Sequence, residues 1–402
     1  MTIFCMCVFL NTSDKPYDMN ILLLNWQDIT NPLAGGAETH LHEIFSRVAA
    51  CGHSVTLYCS SYSGAKPAET LDGLHIIREG HRNTFNAYVP IRYRSRFQHE
   101  GFDVVVDDVN KIPFFTPLYV REPLLAIAHH LFGTSAFAEV GVAAGLYVYA
   151  AETLLNQVYR RTPWAVVSPS TRDEFIARGF PAENLSIIYN CIDQAQFPFA
   201  PQPKPSSPTV AYFGRLKRYK SVHHLIEAFA LVVKRLPEAQ LQIMGKGDDE
   251  PRLRDLVARL GIDKQVHFLG FIPEHKKASA LGAVHCVVNP SMKEGWGIIN
   301  IEANACGTPV ISANSQGLRD SVRHGESGLL YEYGNIEELA GEIMRVLQDD
   351  ELRTYLSAGA IRFARGFDWN DAAQQMIQRL EGVIDEHSSN SKPLHQQAIQ
   401  GL

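Results

Sequence analysis

The sequence lacks any uninterrupted apolar run of about 18 residues, the length that a membrane-spanning helix needs. Residues 1–18 hold a short apolar patch with no basic segment before it, which argues against a signal peptide. They are expected to be a dispensable extension ahead of a first strand that begins near Met19. Positive charge is not in excess: 37 Lys and Arg stand against 43 Asp and Glu, a formal net charge of −6. That sign excludes a general nucleic-acid binder, whose affinity comes from neutralising phosphates. Cysteine is sparse and scattered, with seven residues at 5, 7, 51, 59, 191, 286 and 306. An odd, dispersed set set mostly in apolar runs excludes a disulfide framework and fits reduced core thiols in a cytoplasmic protein. Cys5 and Cys7 have no second pair with which to hold a metal. There is no G-x-G-x-x-G loop, so a nicotinamide-binding reading loses its main support. Internal repeats are absent too.

What remains is an ordinary globular composition, 46% hydrophobic and 20% charged over 402 residues, enough for about two domains. Short apolar runs alternate with helical periodicity, the pattern of an α/β protein with parallel sheets. Strands are expected at 21–25, 54–59, 74–77, 103–106 and 124–128, and again at 209–213, 241–244, 266–269, 284–288 and from 310. Residues 198–208 are rich in proline and polar, as a linker between domains would be. We therefore divide the chain into a first domain (19–197), the linker, a second domain (209–366) and a closing helix (367–385). Residues 386–402 are polar and expected to be disordered.

Residues 289–312 carry the densest chemistry. A strand ends at Asn289-Pro290, the turn Glu294-Gly295-Trp296-Gly297 follows, and a helix opens at Ile298. A helix N-terminus at the carboxyl edge of a parallel sheet is a ready anion site. Glu294 and Glu302 bracket that turn, and fixed carboxylates suit a polyhydroxylated ligand because each oxygen accepts hydroxyl donors. Arg215 and Lys220 also follow a strand and precede a helix, where a guanidinium fork and an ammonium suit a diphosphate. In the first half, Gly35-Gly36 lies between strand and helix and permits close backbone approach to a ligand. His129 and His130 stand just past a strand's carboxyl end, where α/β clefts form. Neither has a third ligand at metal-binding spacing. The acidic pairs Asp107-Asp108 and Asp248-Asp249 lie away from the phosphate motifs and read as solvated or structural.

The run from Glu294 through Glu302 to Gly307-Thr308-Pro309-Val310-Ile311 resembles the retaining glycosyltransferases of family 4. Other stretches share the resemblance: Gly35-Gly36-Ala37-Glu38, Gly214-Arg215 with Lys220, Gly245-Lys246-Gly247, and Asn190-Cys191-Ile192-Asp193. Ser221 and Cys191 stand where that family has glycine. The resemblance covers about residues 19–385 and implies the GT-B fold, two Rossmann-like domains facing across a deep cleft, with the final helix from Phe367-Asp368-Trp369 crossing back onto the first domain. It implies that Glu294 meets the transferred sugar, Glu302 the nucleotide ribose, and Arg215 and Lys220 the diphosphate in place of a metal. Gly35, Gly36, Gly245, Gly295, Trp296, Gly297 and Ile298 would complete the donor site, with backbone at Phe271 and Ile272 holding the base. His129 would touch the donor sugar. His130, Asn110 and Lys111 are expected on the acceptor side, as is the Arg92-Tyr93-Arg94-Ser95-Arg96 run.

The activity so implied moves a sugar from a uridine- or guanosine-diphosphate sugar to a hydroxyl of a saccharide or lipid-linked saccharide, as in polysaccharide biosynthesis. No cofactor or metal is expected, nor any nucleic-acid partner. Peripheral contact with the inner face of the cytoplasmic membrane is compatible with the basic residues beside aromatics. A sugar-nucleotide epimerase or phosphorylase on the same architecture, and a non-catalytic nucleotide-sugar-binding subunit, stay open as alternatives.

Overall fold

The computed structural model describes residues 18–109, 112–129 and 142–390. Its first sheet contains β1 (Asn20–Leu24), β2 (Ser54–Ser61), β3 (Ala68–Leu71), β4 (Leu74–His81), β5 (Val104–Val109), β6 (Leu124–Ala128), β7 (Trp164–Val166) and β8 (Leu185–Ile187). They run in the order β3-β4-β2-β1-β5-β6-β7-β8, all parallel except the β3 edge strand. The second sheet contains β9 (Thr209–Phe213), β10 (Gln240–Met244), β11 (Val266–Gly270), β12 (Cys286–Asn289), β13 (Val310–Ala313) and β14 (Gly328–Tyr331). Its order is β11-β10-β9-β12-β13-β14.

Each order reverses direction once, between β1 and β5 and between β9 and β12. Open α/β sheets bind ligands at such switch points, because the loops leaving the two strands diverge and leave a crevice. The central strands are apolar without alternation, since helices cover both faces. In Asn20–Leu24, for example, Ile21, Leu22, Leu23 and Leu24 are all buried.

Eleven helices among the described residues cover the sheets. Those of the first half are α1 (Gly36–Ala50), α2 (Phe85–Ser95), α3 (Val142–Val158) and α4 (Pro169–Ala177). The second half adds α5 (Val222–Val233), α6 (Glu250–Leu260), α7 (Glu274–Gly282), α8 (Ile298–Ala305), α9 (Ile336–Gln348), α10 (Asp350–Ala364) and α11 (Trp369–Asn390). Helix α11 returns to the first half: its Ala373, Met376, Ile377 and Leu380 share one core with Leu41, Ile44, Phe45 and Val48 of α1. Burying a side chain of this size stabilises by about 1.5–3 kcal/mol, so this seam holds the two halves together.

One expected boundary needs correction, and other segments gain detail. Helix α11 continues to Asn390, past position 386, where a disordered tail was placed. Residues 1–17 and 391–402 lie outside the described residues. Ser168 caps α4, accepting from Thr171 N at 3.1 Å. The stretch 198–208 is docked on the second domain, because Lys204 Nζ donates to Gly282 O at 2.8 Å and to Thr308 Oγ1 at 2.9 Å. The basic run 92–96 lies on α2 and just after it, with Arg92 paired to Glu79 at 2.7 Å and Arg96 to Glu100 at 2.6 Å. The β3–β4 hairpin turns on Asp72-Gly73, both with positive φ (48° and 87°), the Asp-Gly signal of a two-residue turn.

One buried ion pair positions the loop that leads from β1 to the cleft. Arg78 Nε on β4 lies 2.6 Å from Asp28 Oδ2, and both side chains are inaccessible to water. Arg78 also reaches Glu69 at 2.8 Å. Burial opposes ionisation of Asp28, but Arg78 and the hydroxyl and amide of Thr30 outweigh it and hold the carboxyl down at about 2. Asp28→Ala leaves the guanidinium without its closest partner and should cost about 3 kcal/mol or more in denaturant unfolding at neutral pH. The folded value lies below the ordinary carboxylate value, so the contribution is present above the unfolded value and lost as pH falls through about 2. Asp28→Asn should therefore lose less stability than the parent between about pH 4 and pH 2.

Candidate active site

The carboxyl ends of the two sheets face each other across a cleft of about 1510 Å³. On the second-domain wall, Arg215 and Lys220 leave β9, and Glu294 and Gly295 leave its neighbour β12. The switch point thus places cation and carboxylate loops side by side. Lys220 Nζ lies 2.6 Å from Glu294 Oε1, which also accepts from Ser291 Oγ at 2.7 Å. Arg215 lines the cleft and makes a long contact, 3.4 Å, to the Tyr219 hydroxyl.

Gly297 caps α8 with φ +84°, a conformation that glycine adopts without strain, and no side chain caps the first turn. The first N–H groups of that turn thus have no side-chain acceptor, and Trp296, Gly297 and Ile298 line the cleft there. One turn further in, Glu302 is buried, and burial pushes its carboxyl up against the opposing pull of Lys277. Lys277 Nζ holds Oε1 at 2.8 Å, whereas Oε2 is buried with no partner among the described residues.

The first-domain wall comes from the loops after β1, β5 and β6. Glu38 braces the Gly35-Gly36 loop: its Oε2 accepts from Gly35 N at 2.7 Å and its Oε1 from Gln27 Nε2 at 3.0 Å. His129 Nε2 lies 3.1 Å from Asp108 Oδ1 at the end of β5. Burial works against the imidazolium, but the Asp108 charge and hydrogen bond, with Glu38 further off, raise His129 above its ordinary value. The buried His40 ring stands edge-on to His129, 5.0 Å between centroids, and is held well below its ordinary value by burial and by His129. Asp107 turns the other way, to Thr116 Oγ1 and the Tyr159 hydroxyl, and burial pushes its carboxyl up to about 7. The Asp107-Asp108 pair is thus structural, not solvated.

The walls touch where Gly295 meets His129. A Cβ on Gly295 would fall 2.3 Å from the His129 carbonyl oxygen, so only glycine permits this approach. Polar bridges flank it: Lys293 reaches Glu174 Oε2 at 3.0 Å, and Ser170 N donates to Asp320 Oδ2 at 2.9 Å.

With this geometry in view, two family descriptions account for most of the chain. "Glycosyltransferase Family 4" matches residues 34–196 and "Glycosyl transferases group 1" matches residues 193–363. The chain belongs to the GT-B glycosyltransferases of the family 4 type. Glycogen synthase of Mycobacterium tuberculosis is 25% identical to this glycosyltransferase over 398 residues, 90% of this chain and 94% of that protein. D-inositol 3-phosphate glycosyltransferase of Corynebacterium urealyticum is 31% identical over 201 residues, 46% of this chain and 47% of its own. Anabaena Alr3699/HepE, solved with UDP and glucose, shares the fold with a TM-score of 0.71 at 21% identity, over 90% of this chain and 100% of that one.

Of the expected site residues, the glycosyltransferase brings Gly35, Gly36, His129, Arg215, Lys220, Glu294, Gly295, Trp296, Gly297, Ile298 and Glu302 to the cleft. Three do not line it. Gly245 lies behind, donating its N–H to Gly270 O at 2.7 Å. Phe271 is 70% exposed outside the lining, and Ile272 packs partly against the core. Asn110, Lys111 and His130 lie outside the described residues. Sequence reasoning missed Lys277, Glu38 as a brace, and Trp369, which α11 carries into the lining. Only Glu38 had a local signal, as an acid three residues after the Gly35 cap. In an imidazole titration followed by NMR, His129 should titrate above its ordinary value. Asp108→Asn should bring it below, because burial then acts with less opposition.

Proposed function

We propose that this glycosyltransferase is a retaining, metal-independent enzyme. It moves a sugar from a uridine- or guanosine-diphosphate sugar to a hydroxyl of a saccharide or lipid-linked saccharide acceptor. The observation that carries this reading is the convergence of Arg215, Lys220, Glu294, Glu302 and the uncapped α8 N-terminus on one cleft wall, with His129 on the other.

Departure of the nucleoside diphosphate builds negative charge on its terminal phosphate. The Arg215 fork, the Lys220 ammonium and the α8 N–H groups are arranged to stabilise that charge, the role a divalent cation takes elsewhere. The sugar C1–phosphate oxygen bond breaks while a C1–acceptor oxygen bond forms on the same face. The acceptor proton passes to the leaving phosphate oxygen, so no enzymic nucleophile is required. Glu294 would orient sugar hydroxyls and exchange part of its contact with Lys220 for them. Glu302 would take the ribose through Oε2. His129, held by Asp108, would set the sugar against the acceptor side. The contact between Gly295 and His129 helps to exclude water from the reacting centre.

The relatives add weight on the donor side: one is named a glycogen synthase, and a solved neighbour of the same fold holds UDP and glucose. Calorimetric titration with UDP and GDP, with and without magnesium, tests the reading. One nucleotide should bind alike under both conditions, and Lys220→Ala should weaken it about 10-fold or more, the loss of a charge-assisted contact. Binding of neither nucleotide would count against the donor site and favour a partner-dependent or non-catalytic subunit.

A further inference from the structure

The donor-side wall contains a charged residue that the reaction scheme above leaves without a role. Lys277, on α7, is 14% exposed and lines the cleft. Its Nζ lies 2.8 Å from Glu302 Oε1 on α8 and 2.8 Å from Glu274 Oε1 on its own helix. The ammonium stands 5.9 Å from the centre of the Phe213 ring at the end of β9, which limits where it can swing. Two of its three protons are thereby directed at carboxylates.

Glu302 is the buried partner. One of its oxygens is taken by Lys277, and the other is buried without a partner among the described residues. A buried carboxylate persists in its charged form only when paired, and an unsatisfied buried oxygen calls for a donor. A carboxylate held at one oxygen cannot rotate, so its second oxygen keeps a fixed direction. Two lone pairs there can accept from two hydroxyls on adjacent carbons.

We propose that Lys277 is a positioning residue of the donor site. It clamps one oxygen of Glu302 so that the other is presented to the vicinal diol of the nucleotide ribose. The inference rests on the nucleotide-sugar reading above and assigns the ribose preference to a two-residue unit across α7 and α8. Glu274 is the outer member and keeps the ammonium from leaving. Burial works against the Lys277 charge, but the two glutamates outweigh it and raise the amine above its ordinary value, as a permanently charged clamp requires.

The experiment compares UDP or GDP, whichever the parent binds, with its 2′,3′-dideoxy counterpart by calorimetry on the full chain. The parent should prefer the ribonucleotide about 10-fold or more, the value of a satisfied charge-assisted hydrogen bond. Lys277→Met and Glu302→Gln should each collapse that ratio towards one, whereas Lys277→Arg should keep most of it. Lys220→Ala should weaken both nucleotides alike and leave the ratio unchanged. If Lys277→Met does not fold, Lys277→Gln takes its place with the same expected collapse. A parent without ribose preference, or a Lys277→Met variant that keeps the parental ratio, overturns the inference while leaving the nucleotide reading intact. A parent that binds neither nucleotide overturns both.

Discussion

The ion pair between Lys220 and Glu294 ties together the loops that leave β9 and β12, the two strands between which the second sheet reverses its order. Charge concentrated in a cleft between two apolar cores has to be compensated locally, because the low dielectric makes an unpaired ion costly. Lys277 obeys this constraint against the buried Glu302, and more exposed cleft cations are paired as well. Lys217 pairs with Asp248 at 2.7 Å, Arg252 with Asp249 at 2.7 Å, and Lys277 with Glu302. The Lys217–Asp248 and Lys277–Glu302 bridges tie together segments that follow different strands, whereas Arg252 and Asp249 share one helix start.

The same economy shapes the seam between the walls. The first domain offers the His129 carbonyl and the second answers with Gly295, the residue that can come so close. Glu174 of α4 receives Lys293, and both Lys293 and the His129 contact belong to the loop or strand end that carries candidate site residues. Helix α11 adds the apolar part of the seam by laying Trp369 and the residues after it on the first-domain core. Polar contacts at the cleft edge and apolar contacts behind it keep the two walls aligned.

Much of the α/β architecture was legible because buried parallel strands are continuous apolar runs and their helices carry a 3.6-residue period. The Thr209–Phe213 and Leu124–Ala128 strands agree with that expectation end to end. The edge hairpin was missed because Ala68–Leu71 is a short strand whose side chains alternate between exposed and half-buried. Helix α2 was missed because Pro90 lies within it and its apolar face is weak.

The cleft residues divide along the same line. Arg215, Lys220, Glu294 and Glu302 were readable because each belongs to a strand–turn–helix unit whose geometry is local. Lys277 was not: it sits in a polar run, Glu274-His275-Lys276-Lys277, that could belong to any solvated helix. The partnership of Asp108 with His129 was equally hidden. The sequence by itself determined the strands, the turns and the residue types placed at their carboxyl ends, because backbone propensity and hydrophobic period act over a few residues. Only the tertiary structure decided which carboxylate each cation meets, which oxygen of Glu302 stays open, and how closely Gly295 approaches His129. Those depend on strand order and helix packing between segments far apart in the chain.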